Sequence, residues 1–189
     1  MPDTSNGYDD ISKLYLQQRG NIGAATVSTW AKSFSPGATV MDVGCGTGMP
    51  VTKILLEAGL HVFAIDASPN MITIVNQQFP EVTTACEAAE ESLFFQRLFD
   101  GIIAVGLIFL LPEESQRTLI AKMVAALQPG GTLLFTAPLE KVMWEDILTG
   151  RPSRSLGAKE YSALLSAAGI SVIKEFEDEG GNNYFYGVK

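Results

Sequence analysis

The chain has 189 residues, 47% of them hydrophobic, which is enough to bury one full core and short for two. Its formal net charge of −8 repels phosphate backbones and no basic patch offsets it, so nucleic acid is a poor general partner. The cysteines, Cys45 and Cys86, are too sparse for a disulfide framework and lack metal-ligand spacing, and the longest apolar run, Ile102 to Leu111, is too short to span a bilayer. With a polar, acidic start through Asp10 and no signal-peptide pattern, a cytoplasmic protein without membrane attachment or metal is expected.

In chain order, Val27, Trp30, Ala31 and Phe34 recur at helical spacing and predict a cap helix with one buried face, ended by Ser35-Pro36-Gly37. From Ala38 strands alternate with helices: a strand to Val43, a helix from Met49 or Pro50 to Ala58, a strand to Ile65, a helix over Pro69 to Gln78, and a strand near Val82 to Ala85. A short helix around Ala88 to Gln96 is expected next, then a buried strand from Phe99. Leu119, Ile120, Met123, Val124 and Leu127 mark an amphipathic helix before a fifth strand. Pro138 to Gly157 reads as a loop, Lys159 to Ala168 as a helix, and Ile170 to Phe176 with Asn183 to Val188 as a final strand pair. The alternation predicts an α/β fold with a parallel sheet covered by helices on both faces.

The chemistry concentrates in Val40-Met-Asp-Val-Gly-Cys-Gly-Thr-Gly-Met-Pro50, where an apolar strand runs into glycines at 44, 46 and 48 and then into a helix. Such a turn lets a ligand lie against the main chain. A nicotinamide or flavin turn would put its third glycine at position 49, which is Met49, and no Gly-Lys-Ser/Thr follows to make a phosphate loop. Asp42 disfavours a pyrophosphate and suits a cation. The next strand, Leu60 to Ile65, ends in Asp66, where dinucleotide-type folds place the carboxylate that takes a ribose diol.

Asp42-x-Gly44-x-Gly46-x-Gly48 followed by Asp66 resembles the class I S-adenosylmethionine-dependent methyltransferases. Four further segments are similar to that family in order: Asp66-Ala-Ser-Pro-Asn-Met71, Cys86-Glu-Ala88, Phe99-Asp-Gly101 and Leu127-Gln-Pro-Gly-Gly131. Together they cover roughly residues 35 to 137. The resemblance implies a three-layer, doubly wound, seven-stranded, mostly parallel sheet with an antiparallel C-terminal strand. It also implies S-adenosylmethionine as cofactor and S-adenosylhomocysteine as product. On it, Asp66 takes both ribose hydroxyls, Ala67 and Met71 cover the adenine, and Glu87 with Ala88 meets the adenine edge. Asp42, Gly44, Cys45, Gly46, Gly48 and Val105 belong to the same cofactor site, Cys45 as a small space-filler. Tyr15 and Arg19 resemble a cap over the cofactor, Arg19 pairing with its carboxylate.

For the acceptor, the family pattern thins out. Many small-molecule members carry a His-His pair where Phe109 and Leu110 stand, so an apolar wall or plain core packing is expected there. The lone histidine, His61, begins the strand that ends at Asp66, and at about 3.3 Å per residue lies roughly 16 Å from the ligand end, which rules it out as a base. Tyr8, Trp144 and Arg151 are candidate substrate contacts, with Arg154 a further anion contact. Asp9, Asp10, Glu140 and Asp146 are possible bases or amine-binding groups, and nothing in the sequence ranks them. No catalytic residue is assigned, since methyl transfer needs chiefly alignment and exclusion of water. The expectation is one domain over 1–189, with a helical cap over 1–35, a cofactor core over 36–137 and a substrate segment over 138–189. It would methylate a small molecule as a monomer or homodimer. A non-catalytic methyltransferase-like module and a nucleotide-dependent oxidoreductase are the alternatives.

Overall fold

A computed structural model describes residues 3–18 and 20–189. Its seven-stranded sheet has the order β3-β2-β1-β4-β5-β9-β8, built from β1 (Thr39–Val43), β2 (His61–Asp66), β3 (Thr83–Cys86), β4 (Phe99–Ala104), β5 (Leu127–Thr136), β8 (Val172–Glu177) and β9 (Asn183–Val188). The first five strands pair in parallel, while β9 runs antiparallel to both β5 and β8. This is the expected mostly parallel sheet with an antiparallel C-terminal strand.

Helices cover both faces because the central strands are apolar on both sides. On one face α2 (Ala24–Ala31), α3 (Val51–Glu57) and α4 (Pro69–Gln78) bury Val27, Trp30, Leu55, Ile72 and Val75 against Val40, Val62, Ala64 and Ile103. On the other, α5 (Glu113–Ala125) and α6 (Ala158–Ala167) bury Leu119, Ile120, Met123, Tyr161 and Leu165 against Met41, Ile102, Leu133 and Phe135. Each such fully buried side chain contributes roughly 1.5 to 3 kcal/mol relative to exposure. No helix among the described residues is long and apolar enough to cross a membrane.

Three local expectations are corrected. The helix over Val27 to Phe34 is not a cap: α2 lies in the sheet-covering layer, Trp30 Nε1 donates to Thr132 Oγ1 of β5 at 3.0 Å, and Phe34 packs over Gly101 of β4. The segment Ala88 to Gln96 forms no α-helix. It ends in a single tight turn over Phe94–Gln96 whose residues have φ of 50°, 53° and 52°. Ser92 explains the break, because its Oγ accepts from Phe94 N at 2.9 Å while donating to Glu87 Oε1 at 2.5 Å, local bonds that compete with a helix.

The third correction is the loop Pro138 to Gly157, which contains a two-stranded antiparallel hairpin, β6 (Val142–Glu145) with β7 (Pro152–Ser155). It is tied down from behind by the fully buried Gln116, whose Nε2 donates to Leu111 O and Arg154 O, each at 2.9 Å, while Tyr161 OH donates to Gln116 Oε1 at 2.6 Å. The remaining N-terminal helix, α1 (Ser12–Gln18), precedes α2.

Candidate cofactor and acceptor site

The strand order reverses between β1 and β4, and the carboxyl ends of these strands open a crevice, the usual ligand position in a doubly wound sheet. A cavity of about 280 Å³ sits there, walled by residues at or just past the ends of β1, β2, β3, β4 and β5 in turn: Gly44 and Gly46, Asp66 and Ala67, Glu87, Val105 to Leu107, and Thr136.

The glycine turn is held against β2, with Gly44 N and Cys45 N both donating to Ile65 O at 2.9 and 3.0 Å. Gly44 has φ of 71°, a left-handed angle that glycine takes without cost, and a Cβ there would lie 2.9 Å from Leu107 Cδ2. Asp66 closes this end. Its Oδ2 accepts from Gly46 N at 2.8 Å and its Oδ1 from Ser68 N at 2.9 Å, so each oxygen keeps a lone pair for a further donor. Burial raises the Asp66 carboxyl pKa above the ordinary value, opposed by these two backbone bonds and reinforced by the Asp9 charge.

A lid formed by the N-terminal segment completes the cavity with Thr4, Ser5, Asn6, Tyr8 and Tyr15. The Tyr15 ring lies over Gly46, where a Cβ would come 3.3 Å from its Cε1, and Tyr8 meets Tyr15 edge-on at 5.6 Å. The lid is latched on two sides. Asp9 Oδ1 accepts from Ser68 Oγ at 2.6 Å and Asn70 N at 3.0 Å at the start of α4, while Asp3 pairs with Arg151 at 2.6 Å and Tyr8 OH donates to Asp146 Oδ2 at 3.1 Å. Replacing Asp9 by alanine is expected to remove about 1 to 2 kcal/mol of lid closure and so speed amide exchange over residues 4–18 roughly tenfold. Unchanged exchange by mass spectrometry would refute the latch.

Of the residues singled out in the sequence, Tyr8, Tyr15, Gly44, Gly46, Asp66, Ala67, Met71, Glu87 and Val105 come together on this wall. Arg19 lies outside the described residues. The others stand elsewhere. Asp42 is buried behind the turn, where its Oδ2 accepts from Thr52 Oγ1 of α3 at 2.7 Å. Gly48 sits under Phe79, and Cys45 is buried with its thiol pKa pushed well up by burial and by the charges of Asp42 and Asp66. Ala88 is buried, its neighbours Ala89 and Glu90 lining the cavity instead. Trp144 packs on Phe109 with ring centroids 5.4 Å apart, and Arg151 is engaged by Asp3, so neither forms the wall.

Phe109 and Leu110 do form part of it, giving the apolar surface expected where a His-His pair is missing. His61 is exposed at the amino end of β2, away from the cavity. Among the acidic residues left unranked by sequence, Asp9 latches the lid and Asp146 lines the cavity. The wall also holds Asn6, Ile22, Thr136, Asn182 and Tyr184, which sequence reasoning passed over. The rule that ligands meet carboxyl ends of strands would have flagged Thr136, the last residue of β5. It would equally have flagged the turn after β8, which carries Asn182.

The sheet order, the glycine turn and the carboxylate that follows β2 define a class I methyltransferase architecture. Comparison with known proteins agrees: a family model described as a methyltransferase domain matches residues 40–131. A cypemycin N-terminal methyltransferase from a Streptomyces species is 34% identical over 129 residues, covering 66% of this chain and 50% of that protein. A ubiquinone biosynthesis O-methyltransferase from Xylella fastidiosa is 27% identical over 199 residues, covering 91% of this chain and 77% of the relative. The crystal structure of magnesium protoporphyrin IX methyltransferase from Synechocystis PCC 6803 with bound S-adenosylhomocysteine superimposes with a TM-score of 0.77 at 18% identity, over 98% of this chain and 95% of the other. In sequence and in fold the chain is similar to the class I S-adenosylmethionine-dependent methyltransferases. It spans half the length of the first of these relatives.

Proposed function

We propose that the protein transfers a methyl group from S-adenosylmethionine to a small-molecule acceptor, as one methyltransferase domain working in the cytoplasm as a monomer or homodimer. The observation that carries this reading is the Asp66 carboxylate set beside the Gly46 amide on the cavity wall, with a free lone pair on each oxygen. A vicinal diol is the natural complement of two such acceptors, and Glu87 adds an acceptor on the same wall for an exocyclic amine. Gly44, Gly46, Asp66, Ala67, Met71, Glu87, Val105 and Tyr15 would hold the cofactor, joined by Arg19 at its carboxylate.

When bound, that cofactor supplies an electrophilic methyl group that is passed on by in-line displacement. The chain's own contribution is alignment and dryness. Tyr8 and Tyr15 roof the cavity and Leu107, Phe109 and Leu110 wall it with apolar surface, so the acceptor approaches a site from which bulk water is displaced. Cys45 is no nucleophile here, because burial raises its thiol pKa and the charges of Asp42 and Asp66 raise it further. A small acceptor is favoured because the cavity of about 280 Å³ has to receive the cofactor as well.

The test is ligand-dependent melting. S-adenosylmethionine and S-adenosylhomocysteine are each expected to raise the Tm, by about 2.7 kcal/mol of stabilisation at a hundredfold excess over Kd. No shift with either, or a shift only with NADH, would overturn the reading.

A further inference from the structure

Asp146 divides its two carboxylate oxygens between the fold and the cavity. Oδ1 accepts from Leu148 N at 3.0 Å, Thr149 N at 2.8 Å and Thr149 Oγ1 at 3.0 Å, which closes the turn between β6 and β7. Oδ2 accepts from the Tyr8 hydroxyl at 3.1 Å and keeps a lone pair, with Asp146 itself on the cavity wall. Asn6 stands on the same wall. Its Nδ2 is buried with no partner among the described residues, and its backbone is held at φ of 53°, a left-handed angle that asparagine tolerates better than most side chains. A buried donor without an acceptor is itself costly, so a shift of the lid that opens Nδ2 to a ligand oxygen gains that cost back.

Charge sharpens the picture. No Lys, Arg or His is among the described residues that line the cavity, whereas Asp66, Glu87, Glu90 and Asp146 are. Arg151, which the sequence suggested for an anion, is occupied by Asp3 at 2.6 Å. A carboxylate or phosphate on the acceptor would therefore meet like charge, with no cation among the described lining residues to pair it.

We propose that the acceptor is a small amine bearing a nearby hydroxyl or carbonyl oxygen, its N–H groups held by Asp146 Oδ2 and its oxygen by Asn6. The proposal rests on the methyl-donor reading above and deepens it. Asp146 with the Tyr8 hydroxyl orients the nitrogen. The amine first gives its extra proton to water, its lone pair then forms the new N–C bond as the C–S bond of the donor breaks, and the bonding pair stays on sulfur. The nitrogen takes up the positive charge that sulfur loses, so the exchange balances with one proton released.

The whole chain is offered labelled S-adenosylmethionine with three matched pools: primary amines with a neighbouring oxygen (ethanolamine, glucosamine and amino acid amides), the corresponding alcohols, and the corresponding carboxylates. Methylated product is followed by mass, and binding of each amine to the S-adenosylhomocysteine complex by calorimetry. Product is expected in the amine pool. Asp146→Asn, which keeps the Oδ1 acceptor and so the turn, is expected to raise Kd and KM for the amine about tenfold or more, a larger change than in cofactor Kd. Product from alcohols or carboxylates without product from amines overturns the proposal. So does cofactor binding with no amine methylated, or an Asp146→Asn protein with unchanged amine Kd. Failure of the wild-type chain to bind either form of the cofactor instead overturns the methyl-donor reading, which keeps the two failures distinct.

Discussion

Asp66→Ala weakens binding of S-adenosylmethionine by roughly a hundredfold, the expected loss of two hydrogen bonds to a charged group at about 1.5 kcal/mol or more each. The unliganded fold changes far less. Gly46 N and Ser68 N lose their acceptor, but a buried carboxylate whose pKa is already raised by desolvation is removed with it, and the two effects oppose each other. Calorimetry and melting of the same sample separate them, and an unchanged Kd would remove Asp66 from the cofactor site.

The same carboxylate predicts a pH dependence. Asp66 holds its proton to higher pH in the folded chain than an ordinary aspartate does, so its contribution favours the fold below the unfolded pKa and is lost as pH rises through the raised value. Cofactor affinity runs the other way, because hydroxyl donors need the ionised form. Affinity therefore climbs with pH through the raised pKa, and an Asp66→Asn protein loses that rise. Asp9 contributes to the shift, so opening the lid latch by Asp9→Ala moves the climb to lower pH.

Gly44→Ala is expected to carry the other large effect. An alanine at φ of 71° costs about 1 kcal/mol in backbone strain, and its Cβ would lie 2.9 to 3.1 Å from the side-chain atoms of Leu107. Leu107 lines the cavity, so it must give way where the ligand sits. Cofactor affinity falls at least about tenfold, together with a stability loss of roughly 1 to 3 kcal/mol from overpacking and strain. Gly59→Ala supplies the comparison. It has φ of 76° but open space around the added carbon, so it loses some stability and leaves cofactor affinity alone. Equal effects of the two substitutions on affinity would remove Leu107 from the explanation.

The helices and strands that were legible in the sequence are those with one apolar face and a clear break. Pro69–Gln78 is the plainest, opening on Ser68, whose side chain accepts from Met71 N at 3.0 Å, and on Pro69 in its first turn. The hairpin Val142–Glu145 with Pro152–Ser155 was illegible because Val142, Met143 and Glu145 are all exposed and the alternately buried positions of the second strand, Ser153 and Ser155, are polar, so no period-two apolar pattern is written into it. Its pairing depends on Gln116 and Tyr161, which lie on two other elements. Ala88 to Gln96 forms no α-helix for a local reason, the Ser92 hydroxyl, that residue type alone does not reveal.

For the site, the order of residues settled what nearest-neighbour chemistry can settle. Gly44, Gly46, Asp66 and Glu87 each lie at or just past the end of a strand, so a strand-by-strand reading of the chain puts them at one end of the sheet and makes a sulfonium nucleotide the best match to their spacing. The division of labour among residues far apart in sequence was decided only by tertiary structure. Asp9 and Asp146 are both acidic and both near aromatic residues, yet one closes a latch on Ser68 and the other presents an oxygen to the cavity. Arg151 looks like an anion contact until Asp3, almost the length of the chain away, takes it. Charge and hydrogen-bonding capacity belong to the residue and can be read from sequence. Which partner uses them up depends on distances of about 3 Å across the fold, and these only the packed chain sets.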